Sequence, residues 1–179
     1  MKIEVLKVGK LRCNCYILDI DNKVLIIDPG DDAFKIINTV GEREVVGIIV
    51  THHHFDHDCG VSELIAKYDV KMYDMNNLSE GINGIANFNF EVIYTPGHKD
   101  DLITIYFKQE KIMYCGDFIF KESVGRCDLP GSDPKEMGKS IKKIMNYDRD
   151  TIIYPGHGIS TTLGYEIDNN VFFQNLEIF

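Results

Sequence analysis

The spacing of apolar and polar positions changes period several times along the chain. Ile3–Val8, Cys15–Ile20 and Lys23–Ile27 read as three short strands, with Asp21-Asn22 as the turn between the second and third. Asp28-Pro29-Gly30-Asp31-Asp32 then breaks the pattern. Phe34, Ile37 and Val40 recur at helical spacing within Ala33–Val40, and Asp31 or Asp32 is placed to cap that helix. Val45–Val50 is almost continuously apolar, as a strand buried on both faces requires. Ser62–Tyr68 predicts a helix with Leu64, Ile65 and Tyr68 on one side, and Val70–Tyr73 a short strand. The second half repeats this grammar. Phe90–Tyr94, Leu102–Phe107, Ile112–Cys115 and Thr151–Tyr154 read as strands. Pro134–Met145 reads as a helix, with Asp133 as its cap and an apolar stripe of Met137, Ile141, Ile144 and Met145. Asn76–Asn89, polar with two glycines, reads as an irregular surface stretch. Strands and helices alternate without a linker, which suggests two packed sheets with helices outside.

Length and charge narrow the function classes. A chain of 179 residues is expected to form one domain over 1–179. The formal charge of −9 repels phosphate backbones, so nucleic acid is not an expected partner. No apolar run approaches the ~20 residues of a membrane span, so no membrane partner is expected either. The first residues lack the apolar stretch of a signal peptide, and a cytoplasmic location is expected. The five cysteines (13, 15, 59, 115 and 127) are odd in number and scattered, which predicts free thiols. Cys13 and Cys15 share one face if their segment is a strand, and read as packing residues.

All six histidines fall in three loops. Four lie in Thr51-His52-His53-His54-Phe55-Asp56-His57, directly after the apolar run Val45–Val50. The others follow predicted strands, as Thr95-Pro96-Gly97-His98 and Pro155-Gly156-His157, and a further strand ends in Cys115-Gly116-Asp117. Such groups at strand ends can converge on one edge. In an extended segment, His52, His54 and Asp56 share a direction while His57 points elsewhere, toward a second ion. His53 then faces away from the centre. Imidazole and carboxylate together suit zinc, iron or manganese. His52, His54, Asp56, His57, His98, Asp117 and His157 exceed the needs of one tetrahedral ion. They suffice for two ions that share a carboxylate and a water.

This constellation resembles the metallo-β-lactamase fold superfamily. The matching pieces are Asn14-Cys15-Tyr16, Asp28-Pro29-Gly30, Thr51–His57, Thr95–His98, Cys115–Asp117 and Pro155–His157, in the family's order. The resemblance implies an α+β fold, an αββα sandwich of two mixed β-sheets flanked by helices, with metals at one edge. It implies that His52, His54 and His98 bind one ion and Asp56, His57 and His157 the other, with Asp117 bridging. Asp28 matches an aspartate near the family's ligands; its other reading is turn formation with Pro29-Gly30.

Residue types separate the branches. β-Lactamases of the common subclass carry cysteine where this chain has Asp117, and the oxygen-reducing diiron branch carries glutamate where it has His54. RNA-processing branches add arms or domains beyond 179 residues. The glyoxalase II-like group remains. Thr51–His57 is similar to its motif, and Ser123–Asp133 looks like the loop of its short, single-domain bacterial members. The chain departs from the full-length enzymes in lacking their helical glutathione-binding domain, in Lys99-Asp100-Asp101 after His98, and in Asp58-Cys59-Gly60. Cys59 reads as a packing residue or as a thiol near the metals, with packing favoured. Arg126 and Asp128 could contact a substrate carboxylate or pair with each other to hold the loop, the second being favoured.

The expectation is therefore a metal-dependent hydrolase that cleaves a small thioester, such as an S-acyl-glutathione or related acyl thiol, with a hydroxide bridging two divalent ions. Zinc is expected first, with iron or manganese as alternatives, and Asp56 and Asp117 as catalytic residues. One alternative is a mononuclear iron persulfide dioxygenase, which shares the Gly125-Arg126-Cys127-Asp128 segment and uses the equivalents of His52, His98 and Asp117. Another is a non-catalytic metal-binding module.

Overall fold

The computed structural model describes residues 1–179. Its first half runs β1 (Lys2–Val8), β2 (Cys13–Ile20), β3 (Lys23–Ile27), α1 (Ala33–Val40), β4 (Glu44–Ile49), α2 (Phe55–Asp58), α3 (Val61–Tyr68) and β5 (Met72–Tyr73). Next come β6 (Gly81–Ile85), β7 (Phe88–Tyr94), β8 (Ile103–Phe107), β9 (Ile112–Tyr114), β10 (Ile119–Phe120) and β11 (Ser123–Val124). The chain closes with α4 (Pro134–Ile144), β12 (Ile152–Tyr154), β13 (Thr161–Thr162), α5 (Leu163–Asn169), α6 (Val171–Gln174) and a 3-10 turn over Leu176–Ile178. One sheet has the order β1-β2-β3-β4-β5 and the other β13-β12-β9-β8-β7-β6, while β10 and β11 form a separate hairpin. Both large sheets mix parallel and antiparallel pairs.

Strand alternation sorts the apolar residues into three layers. Tyr16, Leu18, Leu25, Ile27 and Ile49 of the first sheet meet Phe90, Val92, Ile103, Ile105 and Tyr114 of the second between the sheets. The intervening residues Ile17, Val24, Ile26 and Ile48 turn outward onto Ala33, Ile36 and Val40 of α1 and Leu64 of α3. On the far side Ile93, Tyr106, Met113 and Ile153 pack under Met137, Ile141 and Ile144 of α4, Leu163 of α5 and Phe173 of α6. The result is the expected αββα sandwich of two mixed sheets flanked by helices. No helix is long and apolar enough to cross a membrane.

Several local expectations differ from the structure. Asn76–Asn89 is not irregular throughout: Gly81–Ile85 is an edge strand paired antiparallel to β7. Its glycines and asparagine hid the alternation, and pairing with a buried strand overrode composition. Asp32 occupies the N-cap position of α1 but makes no side-chain cap bond; its carboxylate accepts from Gly9 N instead, at 3.0 Å. Asp133 does cap α4, accepting from Lys135 N and Glu136 N. Cys59 is exposed rather than packed, because it sits at the end of a one-turn helix on the outer surface. It lines a small cavity with Leu11, Gly30, Phe55 and Asp56.

Candidate metal centre

The strand directions bring the loops together. β7 and β9 are each antiparallel to β8, and β12 is parallel to β9, so all three end on one edge of their sheet. The loops that follow carry His98, Asp117 and His157. The loop after β4 joins them from the opposite sheet, where Thr51 O accepts from Ile103 N at 2.9 Å.

Within this edge the donors form two adjoining groups. His54 Nδ1 lies 3.1 Å from His52 Nε2 and 3.0 Å from His98 Nε2. Beside them, His57 Nε2 lies 3.3 Å from Asp117 Oδ1 and 3.8 Å from Asp56 Oδ2, and His157 Nε2 meets Asp56 Oδ2 at 3.0 Å. Asp117 stands between the groups, with Oδ2 3.6 Å from His98 Nε2 and 3.7 Å from His157 Nε2. All seven predicted donors therefore share one site. The route to Asp56 differs from expectation. The extended segment ends at His54, and Phe55–Asp58 winds into a helical turn closed by His57 N to His54 O. Asp56 and His57 thus reach the second group from a helix, and Asp56 does not follow the direction of His52 and His54.

The outward nitrogens of His52, His57 and His98 are held by their neighbours, which turns their inward nitrogens toward the centre. His52 Nδ1 donates to Thr51 Oγ1, and Thr51 Oγ1 donates to Asp28 Oδ2. His57 Nδ1 donates to the same Asp28 oxygen at 3.0 Å, while Asp28 Oδ1 accepts from Thr51 N at 2.7 Å. His98 Nδ1 donates to Arg126 O at 2.8 Å. Asp28 thus forms the turn and supports two candidate ligands from behind. Arg126 and Asp128 form an exposed bidentate pair at 2.6 and 2.7 Å, and only the Arg126 backbone touches a site residue. That carbonyl contact was invisible in the sequence, since any residue supplies a carbonyl. His53 faces away and sits between Asp58 and Asp74, 2.9 Å from each.

The electrostatics divide the same way. Burial, then the nearby His57, His98 and His54, push His52 well below the usual imidazole range; burial and His98 also lower His54. Both imidazoles are thus biased toward the neutral form, the form that can donate a lone pair to a metal ion. Burial works against charge on His57, but Asp28 and Asp117 outweigh it and hold its pKa well above the ordinary value. For His157 the hydrogen bond it donates to the Asp56 carboxylate raises the pKa against burial. The carboxylate-rich half of the site therefore seeks positive charge.

The donor set fits divalent ions. Asp117 Oδ1 is buried and has no hydrogen-bond partner, since its 3.3 Å approach to His57 is too poorly aligned to count. Three converging imidazoles on one side and imidazoles with carboxylates on the other are a borderline donor set. Gly156 keeps the centre open: a Cβ there would lie 2.2 Å from Asp117 Oδ1 and 2.6 Å from His57 Cε1.

The metallo-beta-lactamase superfamily model matches residues 8–73 and 78–157. The chain belongs to the metallo-beta-lactamase superfamily, a metallo-hydrolase fold that binds divalent metal and whose members are mostly enzymes. The hydroxyacylglutathione hydrolase GloC of Haemophilus influenzae is 27% identical, across 98% of this chain and 99% of that protein. The solved structure of BLEG-1 B3 metallo-beta-lactamase superposes with a TM-score of 0.94 at 28% identity, covering 97% of this chain and 100% of that one. TTHA1623 in a di-iron-bound form superposes with a TM-score of 0.87 at 30% identity, covering 94% and 99%.

Proposed function

We propose that this protein is a metal-dependent hydrolase of small thioesters, of the S-acyl-glutathione or related acyl-thiol type. The observation that carries the reading is the meeting of six further donors around Asp117, whose buried Oδ1 has no hydrogen-bond partner. His52, His54 and His98 would hold one divalent ion and Asp56, His57 and His157 the other, with Asp117 between them. Ions bound there supply Lewis acidity, polarising a carbonyl and acidifying water.

The chain's own residues do the positioning. Asp28 and Thr51 orient His52 and His57, the Arg126 carbonyl orients His98, and the carboxylates of Asp56 and Asp117 offset the charge of the bound ions. A thiolate leaving group departs without a proton, so such a site completes thioester cleavage with no dedicated acid. The resemblance to a hydroxyacylglutathione hydrolase over nearly the whole chain supports a thioester. Zinc and iron both suit the donors, and the di-iron-bound relative supports iron.

The test is a substrate panel on protein of measured metal content: S-lactoylglutathione, simple acyl thioesters, a β-lactam, and glutathione persulfide with oxygen uptake monitored. Metal-dependent thioester hydrolysis is expected to exceed the other activities. Oxygen uptake on the persulfide without thioester hydrolysis would overturn the proposal in favour of a dioxygenase. Cleavage of the β-lactam alone would equally overturn it. Metal binding with no activity on any of them would point to a binding module.

A further inference from the structure

His53 stands between two candidate ligands in the chain, yet its ring turns away from the centre and is not a donor there. Each of its nitrogens lies 2.9 Å from a carboxylate, Nδ1 from Asp58 Oδ2 and Nε2 from Asp74 Oδ2. Ionised carboxylates only accept, so both ring nitrogens donate. The His53 amide donates to a third carboxylate, Asp101 Oδ2, at 3.2 Å. The three partners belong to different parts of the edge. Asp58 ends α2, the helical turn that carries Asp56 and His57. Asp101 lies three residues after His98. Asp74 follows β5 and is itself fixed: it is buried, and its carboxylate also accepts from Asn76 N at 2.8 Å and Asn76 Nδ2 at 3.1 Å.

The chain changes direction beside this ring. It is extended at His54, with φ −99° and ψ 144°, and helical from Phe55. That corner separates His52 and His54 from Asp56 and His57, and so separates the two donor groups. A helix as short as Phe55–Asp58 does not hold its own place; contacts from outside must do so. His52 has such a contact in Thr51 and His57 one in Asp28, but neither spans the corner. The ring of His53 does.

We propose that His53 is a positioning residue for the metal centre: by joining α2, through Asp58, to the anchored Asp74, it sets the donors of one ion against those of the other. This inference rests on the two-ion reading of the site. Without the ring α2 is free to turn, and Asp56 and His57 move together while His52, His54 and His98 keep their places. The loss should therefore fall on one ion and spare the other.

Cobalt(II) titration of metal-stripped full-length protein against a chelating dye tests this, with urea unfolding of the stripped protein measured alongside. The wild type is expected to bind two ions in two resolved steps. In His53→Leu one step should weaken about 10- to 100-fold, as other losses of a ligand's support do. The other step, and the ligand-field absorption of the ion bound in it, should match wild type. Asp58→Ala cuts the same tie from its partly exposed end and should weaken the same step, so it decides the matter even if His53→Leu fails to fold. Two unchanged steps in a folded variant overturn the proposal whatever happens to urea stability, because a purely structural role lowers stability alone. Equal weakening of both steps overturns it too, since the corner is then not what His53 sets. A wild type that binds fewer than two ions overturns the two-ion reading and this inference with it.

Discussion

Asp117 governs the charge balance of the centre. It faces both donor groups, so in the proposed two-ion site replacing its carboxylate would leave two cations with one fewer negative charge between them. Asp117→Asn preserves size and removes that charge. Metal content should fall, and thioester turnover should drop by at least ~100-fold, the scale of losing one key electrostatic group. Arg126→Ala provides the contrast, because its side chain pairs only with exposed Asp128. Its metal content should match wild type in the same elemental analysis; equal metal loss in both variants would refute the bridging role. Asp28 acts one step further out. Its two oxygens serve Thr51 N, Thr51 Oγ1 and His57 Nδ1. Asp28→Asn should weaken metal affinity about 10- to 100-fold, measured by competition with a chelating dye, as other losses of a ligand's outer partner do. The histidine spacing made the seven donors visible in the sequence. Their supports were less so, since Thr51 and the Arg126 carbonyl acquire meaning only from what lies opposite.

Helix α4 shows how an element on the outer layer positions the edge. Asp133 caps it with its side chain, and Asp133 N donates to Gly97 O at 2.8 Å. Further along, Ser140 Oγ donates to Pro96 O at 2.7 Å. The helix thus braces the loop that carries His98. Asp133→Ala should cost about 1 kcal/mol in urea unfolding, the usual value of a lost N-cap. Its metal stoichiometry should be unchanged, because the backbone bond to Gly97 survives. Pro134 after a capping aspartate announced this helix. α5 and α6 lacked so regular a stripe and were not foreseen. Their role is nevertheless specific: buried Glu166 of α5 accepts from Glu122 N and Asn170 Nδ2, both at 2.8 Å, and so ties the β10–β11 hairpin to the C-terminal helices.

For the whole molecule, the three apolar layers stand apart from the metal edge. The sandwich should therefore remain folded after chelation while losing the stability that binding contributes. Metal at 1,000 times its dissociation constant adds about 4 kcal/mol. Chelation should lower the melting temperature and leave the far-ultraviolet circular dichroism nearly intact, and added divalent ion should restore the melt. A melt insensitive to chelator and added metal would contradict this. The five thiols are all unbridged. Thiol counting on metal-stripped protein in denaturant without reductant should return five, and three or fewer would contradict the structure.

Periodicity in the sequence was enough to determine the alternating strands, the capped α4 and the three histidine-bearing loops, because each is a local consequence of side-chain spacing. Tertiary structure alone decided which donors meet. The strands ending at Tyr94, Tyr114 and Tyr154 share a direction only through their pairings with β8 and β9. The helical turn at Phe55–Asp58 redirected Asp56, and the facing of the two sheets set His54 against His98, although 44 residues separate the two along the chain. Contacts across such a separation depend on how sheets close on one another, which no local pattern of apolar and polar residues encodes.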